Sequence, residues 1–195
     1  MKKIIPAIAR RLRRVPEYIL HPFSQWERFY LSENPWHFER SSEIHRFEET
    51  NRIIQKAIGP VETILEIGSG EGDQTQWLSR LAPKINGVEI SSTAVRRARR
   101  KFEGNPRVSF QVGELPDLGI AERFDLVTAF EIVYYLTPEN IRRAFDAMDK
   151  LGKKRILSVY WPHLNVLDAS LFSTRSVAQQ TIYWESKPRW LVVWW

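Results

Sequence analysis

A chain of 195 residues is long enough to bury one good core, and its composition is ordinary apart from eight tryptophans. It has no cysteine, which excludes disulfides, thiolate metal sites and cysteine nucleophiles. The net charge of +6 comes from residues 1–14, where Lys2, Lys3, Arg10, Arg11, Arg13 and Arg14 meet no acid. The rest of the chain is balanced, which argues against a nucleic-acid surface on the domain itself.

No apolar run approaches the roughly 18–20 residues of a membrane span. Ile4 to Ala9 is interrupted by Pro6 and runs into arginines, unlike a signal peptide, so a cytoplasmic location is expected. Residues 1–20 carry a helical stripe, Ile4, Ile5, Ile8, Leu12, Val15 and Ile19, with the basic residues opposite. Such a helix packs on the domain, touches an anionic membrane peripherally or holds an anionic substrate. Residues 21–40 read as irregular and aromatic (Phe23, Trp26, Phe29, Tyr30, Trp36, Phe38), a strap or a lid. Residues 1–40 are therefore set apart from a domain over 41–195.

Ser41 or Ser42 caps a helix to about Ile58, with Ile44, Phe47, Ile54 and Ile58 on its buried face and Gly59-Pro60 as its stop. Ile64, Leu65 and Ile67 form a short buried strand. It ends in Gly68, Gly70 and Gly72, where glycine lets the backbone turn sharply and clears side chains from its path. A helix follows from Asp73 to about Ala82. The second strand, 85–90, carries Glu89 at its end, nineteen residues after Gly70. Strand, glycine turn, helix and that acid build a nucleotide-cofactor site in which Glu89 accepts both hydroxyls of a ribose.

Ser91 or Ser92 caps a third helix whose basic run, Arg96 to Lys101, reads as a solvated face. Strands follow at 108–112 and 124–130, joined by a very short crossover helix. Glu114, at the end of the third strand, lies where it would accept an adenine amino group. Residues 130–136, with Glu131, Tyr134 and Tyr135, close the fourth strand, and Thr137-Pro138 opens a helix to about Leu151. A fifth strand at 156–161, a loop or short helix at 162–172, and strands at 177–184 and 190–195 joined by residues 185–188 complete an α/β three-layer fold. Its Rossmann-like sheet is mostly parallel and finishes in an antiparallel hairpin.

This pattern resembles the class I S-adenosylmethionine-dependent methyltransferases over residues 60–195, most specifically in Glu66-Ile67-Gly68-Ser69-Gly70-Glu71-Gly72 with Thr75 and Leu78. The resemblance implies S-adenosyl-L-methionine as cofactor. It would be held by Trp36, Glu66, Gly68, Ser69, Gly70, Gly72, Thr75, Glu89, Ile90, Glu114, Leu115 and Glu131. A closer resemblance is to the nodulation protein S family, which N-methylates N-deacetylated chitooligosaccharides. Asn34-Pro35-Trp36, the helix with Phe47-Glu48, and Glu131-Ile132-Val133-Tyr134-Tyr135-Leu136 carry it. The chain departs from that family at Glu71, where small residues are usual, at His37 after the tryptophan, and around 160–176.

The expectation is methyl transfer to a small-molecule or oligosaccharide acceptor, at an amine nitrogen. Glu131 is the candidate base, Tyr134 and Tyr135 flank the reacting atoms, and His37 and His163 are lesser candidates. Two other readings are an RNA methyltransferase using the basic arm and an NAD-dependent oxidoreductase. Gly68-x-Gly70-x-Gly72 and the final hairpin argue against the second. The four histidines show no metal-ligand spacing.

Overall fold

The computed structural model describes residues 22–195. The basic stripe of residues 1–20 and its membrane contact lie outside the described residues. Seven strands form one sheet: β1 Thr63–Ile67, β2 Lys84–Glu89, β3 Val108–Val112, β4 Phe124–Phe130, β5 Gly152–Tyr160, β6 Ala178–Trp184 and β7 Lys187–Trp194. Their order is β3-β2-β1-β4-β5-β7-β6. The first five run parallel, and β7 is antiparallel to both β5 and β6. The helices are α1 Pro22–Phe29, α2 Ser41–Ile53 with a π-helical turn Ile54–Ile58, α3 Asp73–Leu78, α4 Ser92–Lys101 and α5 Pro138–Leu151.

The central strands β1 and β4 are apolar on both faces because helices cover both faces. Alternate residues of one strand point to opposite sides. Leu65 and Ile67 of β1 therefore join Val127, Phe145, Met148 and Val159 in one core, under α5. Ile64 joins Leu126, Ile156, Ile54, Ile58 and Trp190 in the other. Helix α5 starts at the expected cap: the Thr137 side chain accepts from Asn140 N at 3.3 Å, and Pro138 takes the first turn. Its Phe145 is fully buried and stacks on Trp195, with centroids 5.1 Å apart and planes 9° apart. Phe145→Ala is expected to cost about 3–5 kcal/mol, read as a lowered urea midpoint.

Four local readings change. Residues 22–29 are helical because Pro22 stands in the first turn, where its missing N–H is not needed. On α2, Ile44 is exposed and Arg46 is buried, so the inward face is rotated from the apolar stripe. No helix forms between β3 and β4. Gly113, Pro116 and Gly119 punctuate those eleven residues, and Leu115 and Leu118 fill the core in a helix's place. Strand β4 ends at Phe130, as expected; beyond it Glu131 turns to φ 61°, and Val133–Tyr135 is a single 3-10 turn. The hairpin is also tighter than expected. Glu185 and Ser186, both at positive φ, form a two-residue turn, and β7 already begins at Lys187.

The basic run of α4 is mostly exposed, as expected, and three of its residues also tether neighbouring elements. Arg97 pairs with Glu71, Arg99 donates to Phe110 O, and Lys101 pairs with Asp73.

Chain direction across the sheet reverses at β1 and β4. The crossover from β1 leads to β2 on one side, and β4 lies on the other. A crevice opens at the carboxyl ends of this strand pair, which is where ligands bind in open α/β sheets.

Candidate active site

The crevice is a cavity of about 340 Å³. On one side it is lined by the glycine turn after β1 and the ends of β2 and β3. On the other it is lined by residues 130–136, α2 and the start of β7. Gly68 sits at φ 77°, and a Cβ there would lie 2.4 Å from Ile132 Cγ2. The backbone of the turn can approach the loop after β4 only because that side chain is missing. Gly70 is overhung by Tyr30, whose hydroxyl would be 3.0 Å from an added Cβ.

Most of the residues singled out in the sequence line this cavity: Trp36, Glu66, Gly68, Ser69, Gly70, Glu89, Ile90, Glu114, Leu115, Glu131, Tyr134 and Tyr135. Of the proposed cofactor residues Gly72 and Thr75 do not, and both act one layer back. Gly72, at φ 84°, starts α3 and packs under Phe102, which a Cβ would approach to 2.9 Å. Thr75 is fully buried and donates its hydroxyl to Glu66 Oε2.

Four carboxyl groups meet around the cavity, and each is pushed above its usual range, chiefly by burial. Glu89 is held from both sides: Gly70 N donates to Oε2 and Ser91 N to Oε1, each at 3.0 Å. Glu131 is half-buried. It accepts from Ser158 Oγ at 2.7 Å and Tyr134 OH at 3.1 Å, and the Arg46 charge works against its desolvation. Glu66 is raised to about 8 from an ordinary 4.5, chiefly by desolvation.

The raised Glu66 has a consequence for stability. Between about 4.5 and about 8 the folded state holds a proton that the unfolded state has lost. Stability from this group is therefore complete below about 4.5 and falls as pH rises toward about 8. Glu66→Gln is expected to flatten that fall, leaving the variant relatively more stable at pH 8 than at pH 5, as read by urea midpoints.

The aromatic segment of residues 22–40 folds over the glycine turn. Trp36 Nε1 donates to Tyr30 OH at 3.0 Å, and the Trp26 and Trp36 rings lie 5.1 and 6.0 Å from Tyr135. Glu71 explains its departure from small residues. It accepts from Asn34 N at 3.0 Å and pairs with Arg97 at 2.5 Å, which pins the segment to the turn. Glu27 does the same at the N-terminus of α4, accepting from the amides of Ser92 and Thr93.

Sequence reasoning missed Arg46 and Gln74. Arg46 is buried, pairs with Glu43 at 3.0 Å and donates to Gln74 Oε1 at 2.9 Å. The three-residue spacing of Glu43 and Arg46 was the available signal; the partner Gln74 was not. His163 stacks on Tyr134 with centroids 4.6 Å apart, whereas His37 is exposed beside Glu39. Among the described residues no cluster of His, Cys, Asp or Glu is arranged to hold a metal.

Residues 64–155 match the family described as a methyltransferase domain. The match spans just under half of the chain, and sheet order and glycine turn agree with the Rossmann-like α/β fold of such domains. The particular likeness is to nodulation protein S. The protein of that name from Rhizobium tropici is 24% identical over 105 residues, covering 54% of this chain and 44% of the relative. The N-methyltransferase NodS from Bradyrhizobium japonicum, solved with S-adenosyl-L-homocysteine, superposes with a TM-score of 0.72. That match has 20% identity over 88% of this chain and 96% of the other. A ribosomal RNA small subunit methyltransferase A from Geobacter sulfurreducens is 32% identical over 101 residues, 49% of this chain and 37% of that protein. The chain spans about half the length of the curated relatives it matches.

Proposed function

We propose that this protein transfers a methyl group from S-adenosyl-L-methionine to an amine nitrogen of a small-molecule or oligosaccharide acceptor. The observation that carries the reading is Glu131, a desolvated carboxyl at the end of β4 that shares one cavity with Glu89 at the end of β2.

The cavity wall fits a nucleoside cofactor with an amino-acid tail. Among the described residues Ser69 Oγ and Gln74 Nε2 are buried without a hydrogen-bond partner, so the wall presents an unmet acceptor-or-donor and an unmet donor. Glu89 would accept the two ribose hydroxyls, its oxygens already aimed by Gly70 N and Ser91 N. Glu114 would accept the adenine amino group, with Ile90 and Leu115 against the base. Glu66, Ser69 and Gly68 would hold the amino-acid end, with Gly72 and Thr75 supporting the turn from behind. When bound, S-adenosylmethionine supplies an electrophilic methyl group on a positively charged sulfur. Trp36, Tyr134 and Tyr135 offer aromatic faces that tolerate that charge.

An amine attacks only in its neutral form. Glu131 would take the ammonium proton on its carboxylate, and desolvation strengthens it as a base. Ser158 and Tyr134 orient that carboxylate without neutralising it. The test is transfer of labelled methyl to a glucosamine-ended oligosaccharide, its N-acetylated form and bulk RNA. Label on the free amine alone supports the reading. Label on RNA alone replaces it with an RNA methyltransferase using the basic arm, and binding of NAD in preference to S-adenosylhomocysteine replaces it with an oxidoreductase.

A further inference from the structure

The side of the cavity away from the glycine turn is built by the start of α2, by Tyr160 at the end of β5, and by Arg189 and Trp190 at the start of β7. We propose that the acceptor carries an anionic group beside its amine (a carboxylate, sulfate or phosphate) and that Arg189 binds that group. The inference rests on the amine-methyltransferase reading and narrows its substrate to acidic amines, such as an acidic amino sugar.

The cations of this wall are not equivalent. Arg46 is satisfied by Glu43 and Gln74. Arg189 makes no ion pair among the described residues, and its Nε is buried with no hydrogen-bond partner. What it does have is aromatic support. Its guanidinium carbon lies 4.8 Å from the Tyr160 ring centroid and 5.5 Å from that of Trp190. The aromatic faces dehydrate the cation while leaving its hydrogen-bonding edge without an acceptor among the described residues. A planar fork of N–H donors in that state matches a carboxylate, sulfate or phosphate in two-point contact. Arg40, the residue before α2, lines the same cavity at its exposed rim and also makes no ion pair among the described residues. It adds a second positive charge on the approach.

Position agrees with a ligand that bridges to Glu131. Tyr160 of β5 is paired with Trp190 of β7, and Ser158 of β5 holds the Glu131 carboxylate. Glu131 and Arg189 thus stand at the ends of β4 and β7, on either side of β5. That is about 9–10 Å between strand axes, and both side chains reach into the gap. An amine near Glu131 and an anion near Arg189 therefore lie about one sugar residue apart. A neutral acceptor would leave the Arg189 donors unmet.

The experiment is calorimetric titration of the protein saturated with S-adenosylhomocysteine, using glucosamine 6-phosphate, glucosamine 6-sulfate, a 2-aminouronic acid, neutral glucosamine and inorganic phosphate. Wild type, Arg189→Gln and Arg189→Lys are compared, with melting temperature and S-adenosylhomocysteine affinity as controls. At least one anionic amine is expected to bind about tenfold tighter than glucosamine. It should also bind tighter than inorganic phosphate, which separates an acceptor site from a bare anion site. Arg189→Gln should erase the advantage, Arg189→Lys should keep part of it, and the controls should stay put. Binding of none of the three, or equal affinity for glucosamine, overturns the proposal. So does an Arg189→Gln variant that melts earlier and weakens every ligand alike, which would make the residue an aromatic clamp. A loss of S-adenosylhomocysteine affinity in that variant also overturns it, by assigning Arg189 to the cofactor. Anion-dependent binding with no methyl transfer to the bound amine would sink the amine reading and leave the anion site standing.

Discussion

Glu131→Gln is expected to lower kcat by about 10²–10³-fold while leaving S-adenosylhomocysteine affinity within a few-fold of wild type. Glutamine keeps the shape of the side chain and removes the proton acceptor. One of the two donors that now reach it, Ser158 Oγ or Tyr134 OH, would face an amide N–H₂ instead of an oxygen. That local loss is about 1–3 kcal/mol, and a melting curve shows whether it is absorbed. The backbone makes this position informative. A non-glycine residue at φ 61° is strained, and strain of this kind persists only where neighbours over-determine it. Here the Glu131 amide donates to Ser158 O at 3.1 Å, so both main chain and side chain are tied to β5.

The pH profile separates the two roles open to Glu131. As a base it works when ionised, and desolvation raises its pKa. Activity should therefore fall on the acid side along a limb displaced upward from the usual carboxylate range. Glu131→Gln should lose that limb along with most of kcat. If the variant instead keeps the limb and loses cofactor affinity, Glu131 positions the cofactor and the base lies elsewhere.

What the sequence made legible was local. The apolar runs of β1, β2 and β4, the glycine turn and the Thr137-Pro138 cap of α5 are each specified by neighbours within a few residues. Glu89 was legible because the length of one βαβ unit fixes its distance from Gly70. The misreadings share a cause: tertiary contacts decided them. Ile44 has the right period for a core face, but the turn after β1 and α3 offer Arg46 a partner in Gln74, and α2 turns that side inward. The segment 113–123 lacks a helix because two leucines reach the core without one. Arg189 carried no signal at all. Its environment exists only once β7 is laid antiparallel to β5 and brings Tyr160 and Trp190 together. The positive φ of Glu131 is likewise a product of packing, since Ile132 fills the space that Gly68 leaves.

Glu89→Ala is expected to weaken S-adenosylhomocysteine binding by roughly 10²–10⁴-fold, because two hydrogen bonds to an ionised group are worth about 1.5–3 kcal/mol each. Its effect on folding should be far smaller. Burial disfavours the ionised Glu89, so deleting the carboxyl relieves a cost; the same deletion strands Gly70 N and Ser91 N, which now donate to it. These terms oppose one another, and the net change in stability should stay within about 1–2 kcal/mol. The sign of the pH dependence is also fixed. Ribose binding needs the ionised carboxylate, and the Glu89 pKa is raised, so wild-type affinity should fall as pH drops through that raised value. The weak residual affinity of Glu89→Ala should not. Calorimetry at pH 5 and pH 8 reads both effects. If Glu89→Ala binds S-adenosylhomocysteine as tightly as wild type, the ribose is held elsewhere, and the acid at the end of β2 no longer supports a nucleoside cofactor in this cavity.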